Sequence, residues 1–523
     1  MKKIIIVLLL LFLVVISAVS FLTTESYDET AQMKLKDKYS AQYTPSVDHS
    51  KFPILQKKFA QPQDVTEACI TCHTGRAQEV MQSNHWNWER EEYVEGKGIV
   101  YLGKKNALNN YCIGSEGNEK SCAKCHVGFG MTNEMFSFTD PRNIDCLVCH
   151  DNTETYVKAS EMGGAPEMSL DFANIAQHVG KPKRSNCGVC HFLGGGGNNV
   201  KHGDLETAMF EPAKDVDIHM GVDGVNMQCV ACHTSDKHVM LGKVYSLSSM
   251  NRNRSTCEQC HSENPHTDDV INEHGKKVAC QSCHIPIYAK VNATKTHWDW
   301  STAGKLRNGE PYEEDDKDGN HTYLSIKGSF KWGKNLQPEY VWFNGTANHY
   351  LLGDVVDDTT KVIKLNALNG SYKDRESKIT PVKIHRGIQP FDPVNRILIQ
   401  PKLFADNKGE GAFWKDFDWN RAAEVGMKEV NLPFSGKVSF INTEMYWPVN
   451  HMVSSKENTV KCNECHTREN SRIAALTDFY MPGRDYSPVV EFAGNSLIIL
   501  SLLGVFVHGG FRFLSKRKQS KRG

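Results

Sequence analysis

Cys122-Ala123-Lys124-Cys125-His126 is one copy of a five-residue motif, Cys-x-x-Cys-His, around which this chain is built. With 17 Cys and 22 His among 523 residues, its eight copies are not chance. The copies are numbered motif one to motif eight in chain order. Their cysteine pairs are Cys69/Cys72, Cys122/Cys125, Cys146/Cys149, Cys187/Cys190, Cys229/Cys232, Cys257/Cys260, Cys280/Cys283 and Cys462/Cys465. The histidines that follow them are His73, His126, His150, His191, His233, His261, His284 and His466.

This motif is the attachment site of c-type haem. The two thiols form thioethers with the haem, and the adjacent histidine is placed to bind the iron on one face. Zinc knuckles are the alternative, but they pair each Cys-x-x-Cys with a distant second pair and need no adjoining histidine. The sequence therefore predicts eight covalently bound haem c groups. It leaves one cysteine, Cys112, outside the motifs.

Each haem iron has a second, outer axial position that another histidine can fill. An iron held by two histidines has no free position and only passes electrons, so a catalytic haem needs an exchangeable ligand. Histidines near the motifs are the candidates for outer ligands. We predict this role for His85, His178, His219, His238, His266, His274 and His451.

The two ends of the chain carry membrane-targeting signals. Lys2 and Lys3 precede an apolar run over 4–16 and small residues at 18–20, which predicts a signal peptide over 1–20 or, alternatively, an uncleaved anchor. Residues 492–511 lack charged side chains, which predicts a transmembrane helix over 488–514 rather than a buried core helix. The basic tail, 515–523, is then cytoplasmic, and the haem region lies at the periplasmic or extracytoplasmic face.

The composition and the cysteine spacing predict the remaining organisation. A polar lead-in (21–66) precedes a seven-haem region (67–290), a Cys-free insert (291–448) and an eighth-haem region (449–487). Alternation and aromatic content predict short strands within 323–332, 340–343 and 362–365. We therefore expect a mainly α and irregular multihaem cytochrome c fold around eight haems, with a small β-containing insert. The equal counts of 61 basic and 61 acidic residues argue against a nucleic-acid partner.

A glycine-rich loop is the most unusual segment outside the motifs. Residues 194–205 read Gly-Gly-Gly-Gly-Asn-Asn-Val-Lys-His-Gly-Asp-Leu. The amine of Lys201 could bind iron, because a metal and a desolvated pocket both favour its neutral form. Spacing alone favours a surface lysine in a glycine loop.

Taken together, the eight motifs, this loop, and the stretches at 298–301, 447–452 and 480–485 resemble the octahaem tetrathionate reductase family. The resemblance covers about residues 67–486. It implies that the second haem is the active site, with His126 on its inner face and Lys201 on its outer face. It also implies a cysteine near this haem, for which Cys112 is the candidate. Where the family has an aspartate three residues before the lysine, this chain has Asn198, an amide that positions substrate but cannot accept a proton.

The expected function is reduction of a small anionic substrate at the membrane. The resemblance implies tetrathionate, with nitrite or hydroxylamine as other candidates, and Lys124 and His202 could attract an anion. Electrons would come from a quinol-oxidising partner or from a cytochrome b or c. The alternative is a conduit with no substrate of its own, which passes electrons between membrane partners and other cytochromes.

Overall fold

A computed structural model of the chain describes residues 47–111, 113–242, 250 and 253–519. Most of its α-helices are short, because the motifs themselves form single turns between loops. The α-helices are Pro62–Cys72, Arg76–Met81, Asn84–Asn87, Glu119–Cys122, Leu147–His150, Phe172–Gln177, Arg184–His191, Cys229–Cys232, Asp269–His274, Cys280–His284, Phe413–Asp416, Trp419–Glu429, Cys462–Cys465 and Pro488–Gln519. The 3-10 helices are His49–Lys51, Pro53–Leu55, Ala123–Cys125, Pro141–Asn143, Thr207–Phe210, Cys257–Gln259, Trp300–Thr302 and Lys456–Asn458.

The Cys-free part of the chain carries the main sheet. In order, the strands are β1 Glu89–Val94, β2 Gly98–Gly103, β3 Ser235–Asp236, β4 Val239–Met240, β5 Thr294–Asp299, β6 Leu306–Arg307, β7 Glu310–Pro311, β8 Glu313–Asp315, β9 His321–Leu324, β10 Gly328–Gly333, β11 Glu339–Phe343, β12 Ile363–Lys364, β13 Lys378–Asp392, β14 Ile397–Leu398 and β15 Ser439–Pro448. Nine of them form one sheet in the order β12-β15-β13-β5-β10-β9-β8, and β11 and β14 also pair with β13. The β-insert is therefore larger than the sequence predicts. The strand predicted over 323–332 is instead the hairpin β9–β10.

Strand β13 organises this sheet and connects it to the glycine-rich loop. It pairs antiparallel with β15 and parallel with β5, and most of its residues are buried. The core behind it contains Trp298, Trp300 and Trp447 from the sheet region, together with Tyr111 and Val200 from the haem region. Because aromatic side chains bury large apolar areas, this shared core fixes the loop that carries Lys201 against the sheet.

The described part of the polar lead-in is structured. Leu55 and Phe59 are buried in a cluster with Val65 and Phe172. This part of the predicted polar lead-in therefore contributes to a hydrophobic cluster. The predicted signal peptide lies outside the described residues.

The last helix, Pro488–Gln519, is long and apolar enough over Pro488–Ser515 to cross a membrane, by length and composition alone. A helix rises about 1.5 Å per residue, so this stretch exceeds the roughly 30 Å of a bilayer core. Its apolar side chains, such as Phe492 and Phe506, are exposed. A membrane would remove this apolar surface from water.

Candidate haem-binding and redox site

Each motif is presented by a tight turn. In motifs one, four, five, seven and eight one α-helical turn contains both cysteines, and in motif three the helix begins directly after Cys146. Residues three apart on a helix lie on one face, so both thiols of a motif point the same way. Motifs two and six differ. In motif two the α-helix ends at Cys122 and a 3-10 turn, Ala123–Cys125, follows, and motif six begins with a 3-10 helix, Cys257–Gln259.

Seven motif histidines stack against, or pack edge-on to, a second imidazole from elsewhere in the chain. Among the described residues the ring centres are 6.1–6.5 Å apart. The pairs are His73–His49, His191–His85, His150–His238, His261–His219, His233–His451, His284–His266 and His466–His274.

This spacing fits haem iron. Two imidazoles on opposite faces of one metal, each bound through a nitrogen at about 2.0 Å, have ring centres roughly 6 Å apart. The Nδ1 atoms of several paired histidines are already engaged. His150 donates to the Gly180 carbonyl at 2.8 Å, and His274 donates to the Val270 carbonyl at 2.7 Å. Such bonds leave Nε2 available for a metal and fix the ring orientation.

Two of the outer histidines donate to a carboxylate instead. His451 Nδ1 lies 3.1 Å from Asp204 Oδ2, and His238 Nδ1 lies 2.9 Å from Glu79 Oε2. Burial opposes a charge on His451, but the hydrogen bond and the negative charge of Asp204 raise the pKa of His451 overall. A carboxylate partner makes a metal-binding imidazole more basic.

The structure brings six of the seven predicted outer histidines opposite a motif histidine, and His178 is the exception. Its Nδ1 donates to the Asn174 carbonyl at 2.7 Å, the ring is exposed, and it faces no other imidazole in the described part of the chain. His49 takes the seventh position, against His73. His49 lies in the lead-in, far from any motif in sequence, on a 3-10 helix that Asp48 caps.

His126, in motif two, has a different environment from the other motif histidines. It is fully buried among Trp86, Trp88, Phe136 and Phe138. Its Nε2 donates to the Trp86 carbonyl at 2.7 Å, while its buried Nδ1 has no partner. Burial lowers the pKa of His126 to about 3, so the ring is neutral. Within the described residues no imidazole stands opposite it. In this conformation His126 does not present Nε2 as the predicted inner ligand.

Lys201 is half-buried, next to motif two. Its Nζ is 4.9 Å from the ring centre of Trp447, and its charge interacts with the thiol of Cys125. Burial and the nearby positive charge of Lys104 lower the pKa of Lys201 to about 8. A lysine amine is a ligand only when it is neutral, and the low pKa makes that form accessible.

The backbone of the loop is held from several sides. Tyr111 Oη donates to the Lys201 carbonyl at 2.8 Å, and buried Lys383 donates to the Val200 carbonyl at 2.7 Å. Gly203 has a φ of +88°, and a Cβ there would lie 2.8 Å from the Tyr288 ring. Only glycine fits this position without strain.

Of the two other predicted site residues, Asn198 lies within the described part of the chain. The Asn198 carbonyl oxygen accepts from the Thr207 backbone N–H at 2.8 Å, so its amide shapes the loop. The predicted substrate-positioning role of Asn198 is therefore not supported by its contacts. Cys112 lies outside the described residues.

The motifs form a connected series in space. Among the described cysteines, thiols of motifs one and three, two and four, four and five, and six and seven lie next to each other; the pairs are Cys69–Cys146, Cys125–Cys190, Cys187–Cys229 and Cys257–Cys280. Thiols of motifs three and four, five and six, and seven and eight lie within electrostatic range; these are Cys149–Cys187, Cys232–Cys260 and Cys283–Cys465. The haem positions therefore run without a break from motif eight to motif two.

The fold and these sites define a c-type cytochrome with covalently bound haem. The family profile described as "Cytochrome c bacterial" matches residues 295–469. A crystal structure of octaheme cytochrome c from Shewanella oneidensis is similar to this chain, with 41% identity, a TM-score of 0.76, and coverage of 84% of this chain and 98% of that chain. An uncharacterized protein of Archaeoglobus fulgidus is 24% identical over 247 residues, which are 37% of this chain and 80% of that protein. The chain belongs to the octahaem cytochromes c, a family with a multihaem redox or electron-transfer role.

Proposed function

We propose that this protein is a membrane-anchored, extracytoplasmic reductase of small oxyanions that binds eight haem c groups. Seven of these would be closed by two histidines and would only pass electrons. The eighth, at motif two, would be the reaction site. Haem c supplies one-electron chemistry there. The observation that carries the proposal is the position of Lys201, half-buried and with a lowered pKa, next to the one motif whose histidine has no imidazole opposite it in the described residues.

An amine is the ligand that such a site needs. Lys201 would occupy the outer position in the resting protein, exclude water, and leave when a substrate binds. The buried hydrogen bonds to its carbonyl keep the loop in place while the side chain moves. His126 would complete the site from the inner face after its Nε2 leaves the Trp86 carbonyl.

Tetrathionate is the substrate that the family resemblance favours. Its central S–S bond would take up two electrons and break, giving two thiosulfate ions with no proton required. Nitrite and hydroxylamine are the other candidates, and both consume protons on reduction. Asn198 cannot supply those protons, which favours tetrathionate.

Motif eight is the proposed entry point for electrons. His466 Nδ1 donates to the Pro482 carbonyl at 2.9 Å, close to the start of the last helix at Pro488. Arg468, directly after the motif, forms an ion pair with Glu491 in the first turn of that helix. A quinol-oxidising protein or a cytochrome b in the same membrane could therefore reach motif eight. From there the motif series leads to motif two.

An electron conduit is the second candidate. The orientation of His126 favours the conduit. Its Nε2 is bonded to the Trp86 carbonyl, so motif two is less prepared to hold a haem that exchanges a ligand for substrate. Two measurements separate the two functions. One is turnover with reduced viologen on tetrathionate, nitrite and hydroxylamine, and the other is the haem spectrum after addition of nitrite or cyanide. A reductase consumes viologen and shows one haem that binds the added ligand. A conduit does neither.

Lys201→Ala tests the site itself, and Lys124→Ala is the matched control. Lys124 lies within motif two, but it is exposed, and its Nζ donates to Ser160 Oγ at 3.4 Å. We expect Lys201→Ala to change the spectrum of one haem and the turnover rate, and Lys124→Ala to change neither. If both variants match the parent protein, Lys201 is not the exchangeable ligand.

A further inference from the structure

Lys104 is a second lysine directed at motif two, and the sequence motifs do not single it out. It follows β2, at the end of the hairpin β1–β2. Its Nζ lies 4.6 Å from the ring centre of Trp88, and Trp88 packs edge-on against His126 with the ring centres 5.1 Å apart. The Lys104 carbonyl accepts from Ser115 Oγ at 2.7 Å. The aromatic ring and the backbone bond together hold this ammonium group over motif two.

Lys104 differs from its neighbours in having no acidic partner. Lys105 Nζ lies 2.7 Å from Glu89 Oε1, and buried Lys158 Nζ lies 3.1 Å from Asp145 Oδ2. Within the described residues no carboxylate comes within ion-pair distance of Lys104. Its positive charge is therefore not neutralised locally, so an anion approaching motif two meets an unpaired cation.

The charge of Lys104 acts on the groups around the proposed reaction site. After burial, it is the largest influence that lowers the pKa of Lys201. Cys125 and His191 also lie within the range of this charge. Groups from motif two, motif four and the glycine-rich loop thus all lie within reach of one ammonium group.

The candidates named from sequence do not provide this charge. Lys124 points to solvent, beside Ser160. Burial holds the pKa of His202 well below its ordinary value, so that imidazole is neutral near pH 7. Lys104 is the remaining unpaired cation of this group.

We propose that Lys104 binds the anionic substrate at the Lys201 site and thereby selects anions over neutral molecules. This inference rests on the proposed reductase function and adds its specificity residue. Lys104 would hold an oxygen of tetrathionate or nitrite by a charge-assisted hydrogen bond, with Trp88 fixing the side chain.

The test is Lys104→Gln in the full-length, haem-loaded protein, with Lys105→Gln as the control whose charge Glu89 already neutralises. A charge-assisted hydrogen bond contributes enough for a change in KM of roughly tenfold or more. We expect KM for tetrathionate and nitrite to rise by that factor with kcat nearly constant. KM for hydroxylamine, which is neutral at pH 7, should stay within about twofold. Lys104→Arg should restore the parent KM, and the control should change nothing.

A binding measurement separates this inference from the proposed function. Nitrite is titrated into the oxidised protein and followed by the haem spectrum, and we expect its Kd to rise roughly tenfold in Lys104→Gln. If the parent protein reduces none of the substrates but its nitrite Kd still depends on Lys104, the reductase proposal fails and the anion site stands. An unchanged Kd, or an equal loss for nitrite and hydroxylamine, overturns the role of Lys104.

Discussion

Asp204→Asn should raise the reduction potential of the haem that His233 and His451 are proposed to hold. The Asp204 side chain is only 2% exposed, and one of its oxygens accepts from His451 Nδ1 at 3.1 Å and from the Asn450 backbone N–H at 2.7 Å. A buried negative charge that contacts the iron-binding imidazole stabilises the oxidised iron, which is the more positive form. Asparagine keeps the acceptor oxygen but removes the charge.

The expected shift follows from the hydrogen bond. A hydrogen bond to a charged group contributes about 1.5–3 kcal/mol and a neutral one about 1 kcal/mol. The difference, about 0.5–2 kcal/mol, corresponds to roughly 20–90 mV for a one-electron couple. One of the haem potentials should therefore move upward by that amount.

A spectroelectrochemical titration of the parent and variant proteins measures this shift. Glu79→Gln is the matched control, because Glu79 also contacts a paired histidine, His238, but is more exposed and shares its charge with Arg76. Its shift should be smaller and should affect a different haem. If Asp204→Asn leaves every potential unchanged while the low-spin spectrum is intact, the carboxylate does not tune this haem.

Three further predictions test the ligand set, the pH dependence and the anchor. His49→Ala should open one iron position and give a high-spin haem signal in the electron paramagnetic resonance spectrum, whereas His178→Ala should leave that spectrum unchanged. The pKa of Lys201 is lowered from 10.5 to about 8, and a bound metal competes further with the proton. The amine therefore remains a ligand above pH 8 and is lost to protonation as the pH falls below 8. Nitrite binding should accordingly become faster from pH 9 to pH 6, and a pH-independent rate would contradict this role. Deleting residues 488–523 should move the haem-loaded protein from the membrane fraction to the soluble fraction with its spectrum preserved.

The sequence predicted the local parts of the site better than the long-range pairing. The motif itself requires one helical turn, so its position and its ligand could be read directly. The outer histidines come from distant segments, such as His85 for motif four and His451 for motif five. Proximity in sequence therefore favoured His178, near motif four, over His49, which reaches motif one through a folded lead-in.

The sheet was underestimated for a related reason. The central strand, Lys378–Asp392, is buried on both faces and contains Pro381 and Pro390, so it lacks the alternation of a half-exposed strand. Its partners are far apart in sequence, and its edges are covered by strands of only two to ten residues. The sequence alone does not indicate Lys104, because its proposed role depends on contact with Trp88 and on the absence of a nearby carboxylate in the described residues.

The central claim is tested most directly by the ligand that stands opposite His126 in the haem-loaded protein. A crystal structure of the oxidised protein would show it. We predict Lys201 Nζ within about 2.1 Å of the iron attached at Cys122 and Cys125, with His126 rotated so that Nε2 binds the other face. An imidazole in the outer position, or Lys201 directed away with the site closed by another side chain, would contradict the account and leave an electron conduit.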